Sequence, residues 1–432
     1  MFTPETISRD FPSLVGKTYL NTAAEGIPPL IVGQALQQYF ADKALGMDGR
    51  EAHFRAEREA REITAYHLGL KPEEVSFCSC SAEAYNLLAS ALAGCGGAGA
   101  RGPVPEAAHA PSHEPVATMP TPTAFSLPSD FTAWQQSPVV APEASVLAVP
   151  GVAFGTFQGL EAVLVETAHA SAAVALFGGQ VLSYVPRGGQ DVFWLSPLRA
   201  ALPTPVRGGI PVCWPYFGRQ GQGEGVPSHG FVRTLPWRLV EARAEDEGVT
   251  VVLEPPALQG LDLRVRSEVH VGRQLRQRLV TTNTGGAPVV FTEALHNYFR
   301  VADVEAVRVE GLDGLTYLDK NDGYRAYTQQ GDWILADPRD PGRSDRTYPG
   351  AGGRYRLVDP GLGRAIELQV QGGRSAVVWN PGEAAAARMA DVGPYWRGFL
   401  CVEAANAGPD VVALDPGRQH VLEQRITVTP LP

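Results

Sequence analysis

The pattern of apolar and polar positions is clearest in the stretch LRVRSEVHV, in the C-terminal part of the chain. Leu263, Val265, Val269 and Val271 alternate there with polar or charged residues, which is the two-residue period of a strand with one buried face. Similar runs elsewhere in this part are VTVVLE, RQRLVTTNT, PVVFTEALHNYFRV, RAIELQV, SAVVWN and FLCVEAAN. Turn-rich segments rather than helical spacers separate them. The pattern predicts a mainly β fold over 151–432, in the form of an antiparallel sandwich.

Residues 1–93 have helical periodicity instead. PPLIVGQALQQYFADKAL has prolines at its start and apolar residues at helical spacing through Leu36, Phe40 and Leu45. EAHFRAEREAREITAYHLGL then mixes Glu and Arg at turn spacing and ends near Gly69. EEVSFCSCSAEAYNLLASAL is typical of a short strand, a Ser-rich turn and a further helix. We expect a small, mostly helical N-terminal fragment.

Residues 94–150 join these two parts and are dominated by Ala, Pro and Gly. Such a composition buries too little apolar surface to offset the entropy of ordering the chain. The sequence therefore predicts a linker over 94–150, between a helical fragment at 1–93 and a sandwich at 151–432.

Composition limits the classes of partner. The 432 residues carry a formal net charge of −10, which gives no basic field to attract nucleic acid. There is no apolar run of the roughly 20 residues that a spanning helix needs, and the start MFTPETISRD lacks the features of a signal peptide. We expect a cytoplasmic protein that can act as a monomer and has no membrane or nucleic-acid partner. Five cysteines without paired C-x-x-C spacing favour reduced thiols.

Candidate chemical groups of the β region lie in apolar or Gly-rich settings. The segment RGGIPVCWPYFG is too rich in Pro and Gly for a helix interior, so it predicts a shaped loop, and such loops often carry sites. The candidates are Arg207 in VRGGIPVCWPYFG, His229 and Arg233 in SHGFVRTLPW, His296 in EALHNYF, Asp345 in SDRTY and Glu403 in LCVEAAN. Each has a structural alternative: the arginines can pair with carboxylates, and the loop aromatics can be core residues.

Glu403 and His296 are the most informative of these residues. A carboxylate is seldom placed in an apolar strand unless it is paired or used, and imidazole exchanges protons near neutral pH. Metal binding is a weaker alternative for the histidines, because neither H-x-H nor H-E-x-x-H spacing is present. The pair therefore indicates acid and base chemistry, while ordinary core roles stay open.

Taken together, RGGIPVCWPYFG, HGFVRTLPW, LHNYF, SDRTY and MADVGPYWRGFLCVEAAN resemble, in order, the motifs of hexose-6-phosphate mutarotases. These are the glucose-6-phosphate 1-epimerase branch of the aldose 1-epimerase family. The resemblance covers about 155–430 and implies a β-supersandwich similar to galactose mutarotase. It implies an isomerase that interconverts the α and β anomers of a hexose 6-phosphate, without a metal or organic cofactor.

The same resemblance implies a role for each matching residue. His296 falls on the general acid of the family and Glu403 on its general base. Arg207 and Arg233 fall on residues that contact the substrate, and Asp345 on one that binds sugar hydroxyls. Two further substrate-binding candidates, Ser228 and His229, occupy the pair where the family commonly has Gln before His. Ser228 is thus a departure from the family pattern.

The N-terminal fragment has a different resemblance. KTYLNTAAEGIPP and VSFCSCSAEAYNLL are similar to the start of class V aminotransferase-like pyridoxal-phosphate enzymes, over the first 93 residues only. Such enzymes need a lysine from a later segment for the Schiff base, and lysines occur here only at 17, 43, 71 and 320. Three hypotheses are therefore carried: a mutarotase first, then a non-catalytic sugar-binding or regulatory protein, and last a pyridoxal-phosphate enzyme.

Overall fold

In a computed structural model, the chain divides into two compact units, Met1–Pro111 and Ser112–Pro432. The structure describes Phe11 and residues 30–45, 50–68, 70–71, 75, 121–245, 247–336 and 342–431. Within these ranges, no helix combines the length and the apolar character needed to cross a membrane.

The described part of the first unit contains two helices, α1 (Leu30–Ala44) and α2 (Arg50–Leu68). The helical prediction is confirmed here, and α2 ends one residue before Gly69 as expected. Within α2, Arg61 contacts Glu57 one turn earlier, the spacing at which opposite charges meet on a helix surface. The predicted strand, turn and helix of EEVSFCSCSAEAYNLLASAL lie outside the described residues, apart from Val75.

The described part of the second unit is mainly β. Its α-helices are α3 (Phe131–Gln135) and α4 (Gly382–Ala386). Short 3-10 helices lie at Val146–Ala148, Val232–Thr234, Val304–Ala306, Lys320–Asp322 and Gly393–Gly398. The strands, numbered β1 to β22 in chain order, are Val152–Phe157, Leu160–Glu166, Ala170–Ala175, Val181–Pro186, Val212–Cys213, Arg238–Glu245, Gly248–Glu254, Leu263–Val271, Leu275–Asn283, Val289–Phe291, Glu293–Leu295, Tyr298–Arg300, Arg308–Glu310, Thr316–Asp319, Arg325–Thr328, Ser344–Pro349, Arg354–Asp359, Arg364–Gln371, Ser375–Asn380, Phe399–Asn406, Val412–Leu414 and Gln419–Pro430.

Two eight-stranded antiparallel sheets dominate this unit. The first has the order β15-β14-β16-β19-β20-β11-β5 with β12 also paired to β20, and the second has the order β13-β17-β18-β22-β9-β8-β7-β6. One core cluster includes Leu295 and Val402 of the first sheet with Leu279 and Ile366 of the second. A four-stranded sheet, β1-β2-β3-β4, and the pair β10-β21 complete the described sheets. The predicted antiparallel sandwich is confirmed.

The alternating stretch that predicted strand structure is β8. Four apolar residues of β8 are buried, namely Leu263, Val265, Val269 and Val271. Arg264 and Arg266, which flank Val265, are exposed. Glu268 is the exception, because it is buried to 7 % exposure and is paired with two arginines of the sheet. The two-residue period therefore predicted the buried face correctly, and ion pairing satisfies the carboxylate that departs from it.

The second half of the predicted linker is packed on the sandwich. Phe131 is buried and its ring lies 5.6 Å from that of Phe231, while Phe125 stacks on Tyr216 at 6.1 Å. These aromatic residues supply the apolar area that the average composition of the segment lacks. The expected linker over 94–150 therefore does not extend through residues 121–150, and its first half lies outside the described residues.

Strand β20 occupies a central position in the first sheet, between β19 on one side and β11 and β12 on the other. All eight of its residues, FLCVEAAN, are buried. Two of the five cysteines, Cys213 and Cys401, are buried free thiols, and the other three lie outside the described residues. The sheet thus holds Glu403 in the interior of the unit.

Candidate active site

His296 and Glu403 are in contact. Strands β11 and β12 both pair with β20, but a break at His296 and Asn297 separates them. The break lies beside Glu403, because the first of the two strands ends opposite Ala404 and the second begins opposite Cys401. The imidazole Nε2 is 3.4 Å from the carboxyl Oε1. His296 and Glu403, which are more than a hundred residues apart in the sequence, are therefore neighbours in the structure.

Both groups are buried, with 8 % of His296 and 1 % of Glu403 exposed. Burial lowers the pKa of His296 well below its usual value, and the nearby charges of Arg207 and Arg233 add to this. Burial raises the pKa of Glu403 well above its usual value, and the carboxylate of Asp345 adds to that. Burial therefore favours a neutral pair, with the proton on the carboxyl group.

A neutral acid next to a neutral imidazole carries the same number of protons as a carboxylate next to an imidazolium. The pair thus holds one proton that can be given up while its other member accepts one. His296 Nδ1 and Glu403 Oε2 have no hydrogen-bond partner in the described part of the chain. Buried polar atoms usually have a hydrogen-bond partner, so these two atoms retain the capacity to bind polar groups of a substrate.

His229 lies beside this pair, with its ring centre 5.8 Å from that of His296. The Gly218 N–H donates to its Nδ1 at 3.3 Å, which leaves Nε2 to carry the proton of the neutral ring. Burial lowers the pKa of His229 well below its usual value, and Arg233 adds to this. Gly230 permits the turn, because a Cβ there would lie 1.9 Å from the carbonyl oxygen of Trp214.

Arg207 is held by two partners. Its Nε donates to Asp391 Oδ2 at 2.8 Å, and its Nη1 donates to the hydroxyl of Tyr298 at 2.9 Å. Burial lowers the pKa of Arg207, but the contacts with Tyr298 and Asp391 raise it by more, so the guanidinium stays charged. Its charge lies 6.0 Å from the centre of the Trp379 ring, at the limit of a cation–π contact.

Arg233 and Ser228 belong to the turn that carries His229. The Nη2 of Arg233 donates to the carbonyl oxygen of Ser228 at 2.8 Å, and the Ser228 hydroxyl donates to the carbonyl oxygen of Gly218 at 3.4 Å. These bonds tie the two predicted residues to the backbone of the site. Burial lowers the pKa of Arg233, although guanidinium retains its proton in proteins.

A cavity of about 510 Å³ lies beside His229 and Asp345. Its walls are formed by Phe217, Gly218, Arg219, Gln220, His229, Leu318, Lys320, Tyr324, Asp345, Thr347, Gly408 and Pro409. Of the predicted residues, His229 and Asp345 line it, whereas Arg207, Ser228, Arg233, His296 and Glu403 do not. The His296 ring nevertheless lies 5.8 Å from that of His229. From the loop RGGIPVCWPYFG only Phe217 and Gly218 reach the cavity, since Trp214 and Tyr216 are core residues.

Three residues of the site were missed by sequence reasoning. Asp391 and Tyr298 orient Arg207, and both lie inside the motifs that carried the family resemblance, MADVGPYWRG and LHNYF. Lys320 forms an ion pair with Asp345, with Nζ 3.2 Å from Oδ2, and nothing in its sequence surroundings marks it. Within the described ranges, no group of three or more His, Cys, Asp or Glu side chains is arranged to hold a metal ion.

The sandwich matches known proteins. A profile of the family described as "Aldose 1-epimerase" matches residues 161–427. A Salmonella typhimurium protein provisionally named glucose-6-phosphate 1-epimerase is 32% identical over 259 residues, which cover 57% of this chain and 84% of that protein. A Cenchrus ciliaris protein of the same provisional name is 33% identical over 282 residues, covering 61% of this chain and 83% of that protein.

Solved structures agree with these matches. The crystal structure of a protein from Salmonella typhimurium, provisionally described as a mutarotase, has 29% sequence identity and a TM-score of 0.60, and covers 68% of this chain and 97% of its own. A galactose mutarotase-like protein from Clostridium acetobutylicum has 11% identity and a TM-score of 0.52, covering 65% and 98%, which indicates a shared fold. The family match begins at residue 161, so it lends no support to the aminotransferase-like resemblance of residues 1–93.

Proposed function

This chain belongs to the aldose 1-epimerase family and is an isomerase, and from that premise we propose that it interconverts the α and β anomers of a hexose 6-phosphate, with glucose 6-phosphate as the first substrate to test. The names of the Salmonella and Cenchrus relatives support this choice of sugar. The contact between His296 and Glu403 is the observation that carries the proposal.

In the proposed reaction, the pair opens and closes the hemiacetal. One member takes the proton of the anomeric hydroxyl while the other gives a proton to the ring oxygen, the bond from C1 to that oxygen breaks, and an aldehyde forms. Rotation about the C1–C2 bond turns the other face of the aldehyde toward the C5 hydroxyl. Closure reverses both proton transfers, so no net proton is gained or lost.

The side-by-side arrangement of the pair suits this chemistry. The anomeric oxygen and the ring oxygen are bonded to the same carbon, so acid and base must approach one edge of the sugar together. The 3.4 Å between Nε2 of His296 and Oε1 of Glu403 allows each group to reach one oxygen. We assign the acid to His296 and the base to Glu403 in the ring-opening direction, which requires the one proton of the pair to pass from the carboxyl group to the imidazole before the ring opens.

The remaining predicted residues receive substrate-binding roles in this proposal. Arg207 and Arg233 neutralise the phosphate, because guanidinium keeps its charge and donates paired hydrogen bonds to such anions. His229 donates from Nε2 to the ring substituents, and Asp345 accepts from sugar hydroxyls. Ser228 completes the set next to His229. A cytoplasmic location, a monomeric state and the absence of nucleic-acid or membrane partners are carried as proposals from the sequence.

A coupled assay tests this function. An anomer-specific glucose-6-phosphate dehydrogenase reports how fast the unused anomer of glucose 6-phosphate is converted. We expect the wild-type protein to raise this rate above the spontaneous one, and Glu403→Gln and His296→Asn to return it to the spontaneous rate. Polarimetry on free glucose and galactose shows whether the phosphate is needed. A wild-type protein that leaves every anomer exchange at its spontaneous rate would refute the proposal.

A further inference from the structure

Lys320 is a cation in the cavity wall that the proposed reaction does not yet use. Strand β14 pairs with β16 so that Asp319, its last residue, lies opposite Arg346, and Lys320 begins the 3-10 helix that follows, beside Asp345. Its Nζ is 3.2 Å from Asp345 Oδ2, with 54% of the lysine side chain and 19% of the aspartate side chain exposed. Both residues line the cavity, so this pair forms a charged part of its wall.

The groups around Asp345 oppose its ionisation, apart from Lys320. Burial raises the pKa of Asp345, and the carboxylate of Asp319 raises it further, while Lys320 lowers it. Asp345 also acts on Glu403, whose pKa it raises, and on the buried thiol of Cys401 in the same direction. Two carboxyl groups that influence each other in this way resist being ionised together.

Lys320 favours ionisation at Asp345, because the two are in direct contact. The partner opposite Asp345 on the other neighbouring strand is Trp379, which brings no charge. Among the described residues, Lys320 is the cation that forms an ion pair with this aspartate. An ionised carboxylate only accepts hydrogen bonds, whereas a protonated one also donates, so the charge state of Asp345 decides how it meets a sugar hydroxyl.

Resting on the proposed function, in which Asp345 accepts hydrogen bonds from the sugar, we propose that Lys320 is a positioning residue for anomer exchange. Its ion pair keeps the Asp345 carboxylate ionised and oriented along the cavity wall, ready to bind sugar hydroxyls. The movable proton of the site then stays on the pair of His296 and Glu403. Lys320 thus acts through Asp345, independently of whether the sugar carries a phosphate.

The test compares Lys320→Met and Lys320→Arg with wild type, by measuring kcat and KM for glucose and for glucose 6-phosphate from pH 5 to pH 9. Without the cation, Asp345 takes up a proton at a higher pH, so sugar binding is lost on the acid side and recovers as the pH rises. In Lys320→Met, KM should rise about tenfold for each pH unit below the raised pKa of Asp345. Lys320→Arg should restore the wild-type profile.

Free glucose is the cleaner substrate for this readout, because a sugar phosphate itself titrates with a pKa of about 6. Asp345→Asn is the matched control. It should raise KM at every pH, without the recovery on the alkaline side that Lys320→Met shows. Because more than half of the Lys320 side chain is exposed and Asp345 can take up a proton when its partner is lost, the melting temperature of Lys320→Met should stay close to that of wild type.

Three outcomes would overturn the positioning role while the wild type stays active, and they leave the proposed function intact. The first is an acid limb that does not move in Lys320→Met. The second is a pH-independent rise in KM confined to glucose 6-phosphate, which would make Lys320 a phosphate ligand. The third is an equal loss of melting temperature in both lysine variants. An inactive wild type, by contrast, refutes the proposed function itself.

Discussion

The side chain of Glu293 has no exposed surface. Because its buried carboxyl group keeps a proton that the unfolded chain releases, we predict that the protein loses stability as the pH rises from 5 to 8. Glu293 lies on β11, where its Oε2 accepts a hydrogen bond from the hydroxyl of Thr281 at 2.9 Å. Its Oε1 lies 3.4 Å from Nε2 of His420. Burial raises the pKa of Glu293 from its usual value of 4.5 to about 8.

The sign and size of the effect follow from linkage. Because the folded-state pKa is above the unfolded one, the folded protein keeps a proton that the unfolded chain has released. This stabilisation is complete below about pH 4.5 and is lost as the pH approaches about 8. At 1.36 kcal/mol for each pKa unit, the free energy of unfolding falls by roughly 3 to 4 kcal/mol between pH 5 and pH 8 through this group.

Urea unfolding of wild type and Glu293→Gln at pH 5, 6.5 and 8 measures the contribution of Glu293 to the free energy of unfolding. The amide does not titrate but can still accept the hydrogen bond of Thr281. The free energy of unfolding of Glu293→Gln should therefore fall by roughly 3 to 4 kcal/mol less than that of wild type between pH 5 and pH 8. Glu161→Gln, at an exposed carboxyl of β2, controls for the loss of one charge. Parallel pH dependences for wild type and Glu293→Gln would refute a buried, protonated Glu293.

Three further predictions concern the site and its loops. The anomerisation rate should have a broad plateau around neutral pH, because burial lowers the pKa of His296 and raises that of Glu403. A pH–rate profile that drops steeply on both sides of neutrality would contradict a pair that holds one proton. Arg207→Met and Arg233→Met should each raise KM for glucose 6-phosphate about tenfold or more, and KM for glucose far less. The coupled and polarimetric assays measure the two values, and equal effects on both sugars would argue against phosphate binding. Gly208→Ala should lower the free energy of unfolding by about 2 kcal/mol or more. The reason is that φ of Gly208 is +113° and a Cβ there would lie 2.4 Å from a backbone carbonyl oxygen. An unchanged urea midpoint would show that the loop can relax.

Local patterns predicted much of what the structure contains. Alternation in LRVRSEVHV predicted the buried face of β8, and a carboxylate in the apolar run FLCVEAAN drew attention to Glu403. Composition misled over residues 121–150, because an average over many Ala, Pro and Gly residues hides the effect of Phe125 and Phe131. A few well-placed aromatic side chains bury enough area to hold such a segment on a sheet.

The order of residues along the chain determined which segments become strands and which side chains are costly to bury, since both depend on near neighbours and side-chain chemistry. Tertiary structure decided which of those costly side chains meet. The contact of His296 with Glu403 depends on a break between two short strands that pair with the same partner, and that of Lys320 with Asp345 depends on the register of β14 against β16. Such distances and pKa shifts arise from long-range packing, because burial and charge act through space rather than along the chain.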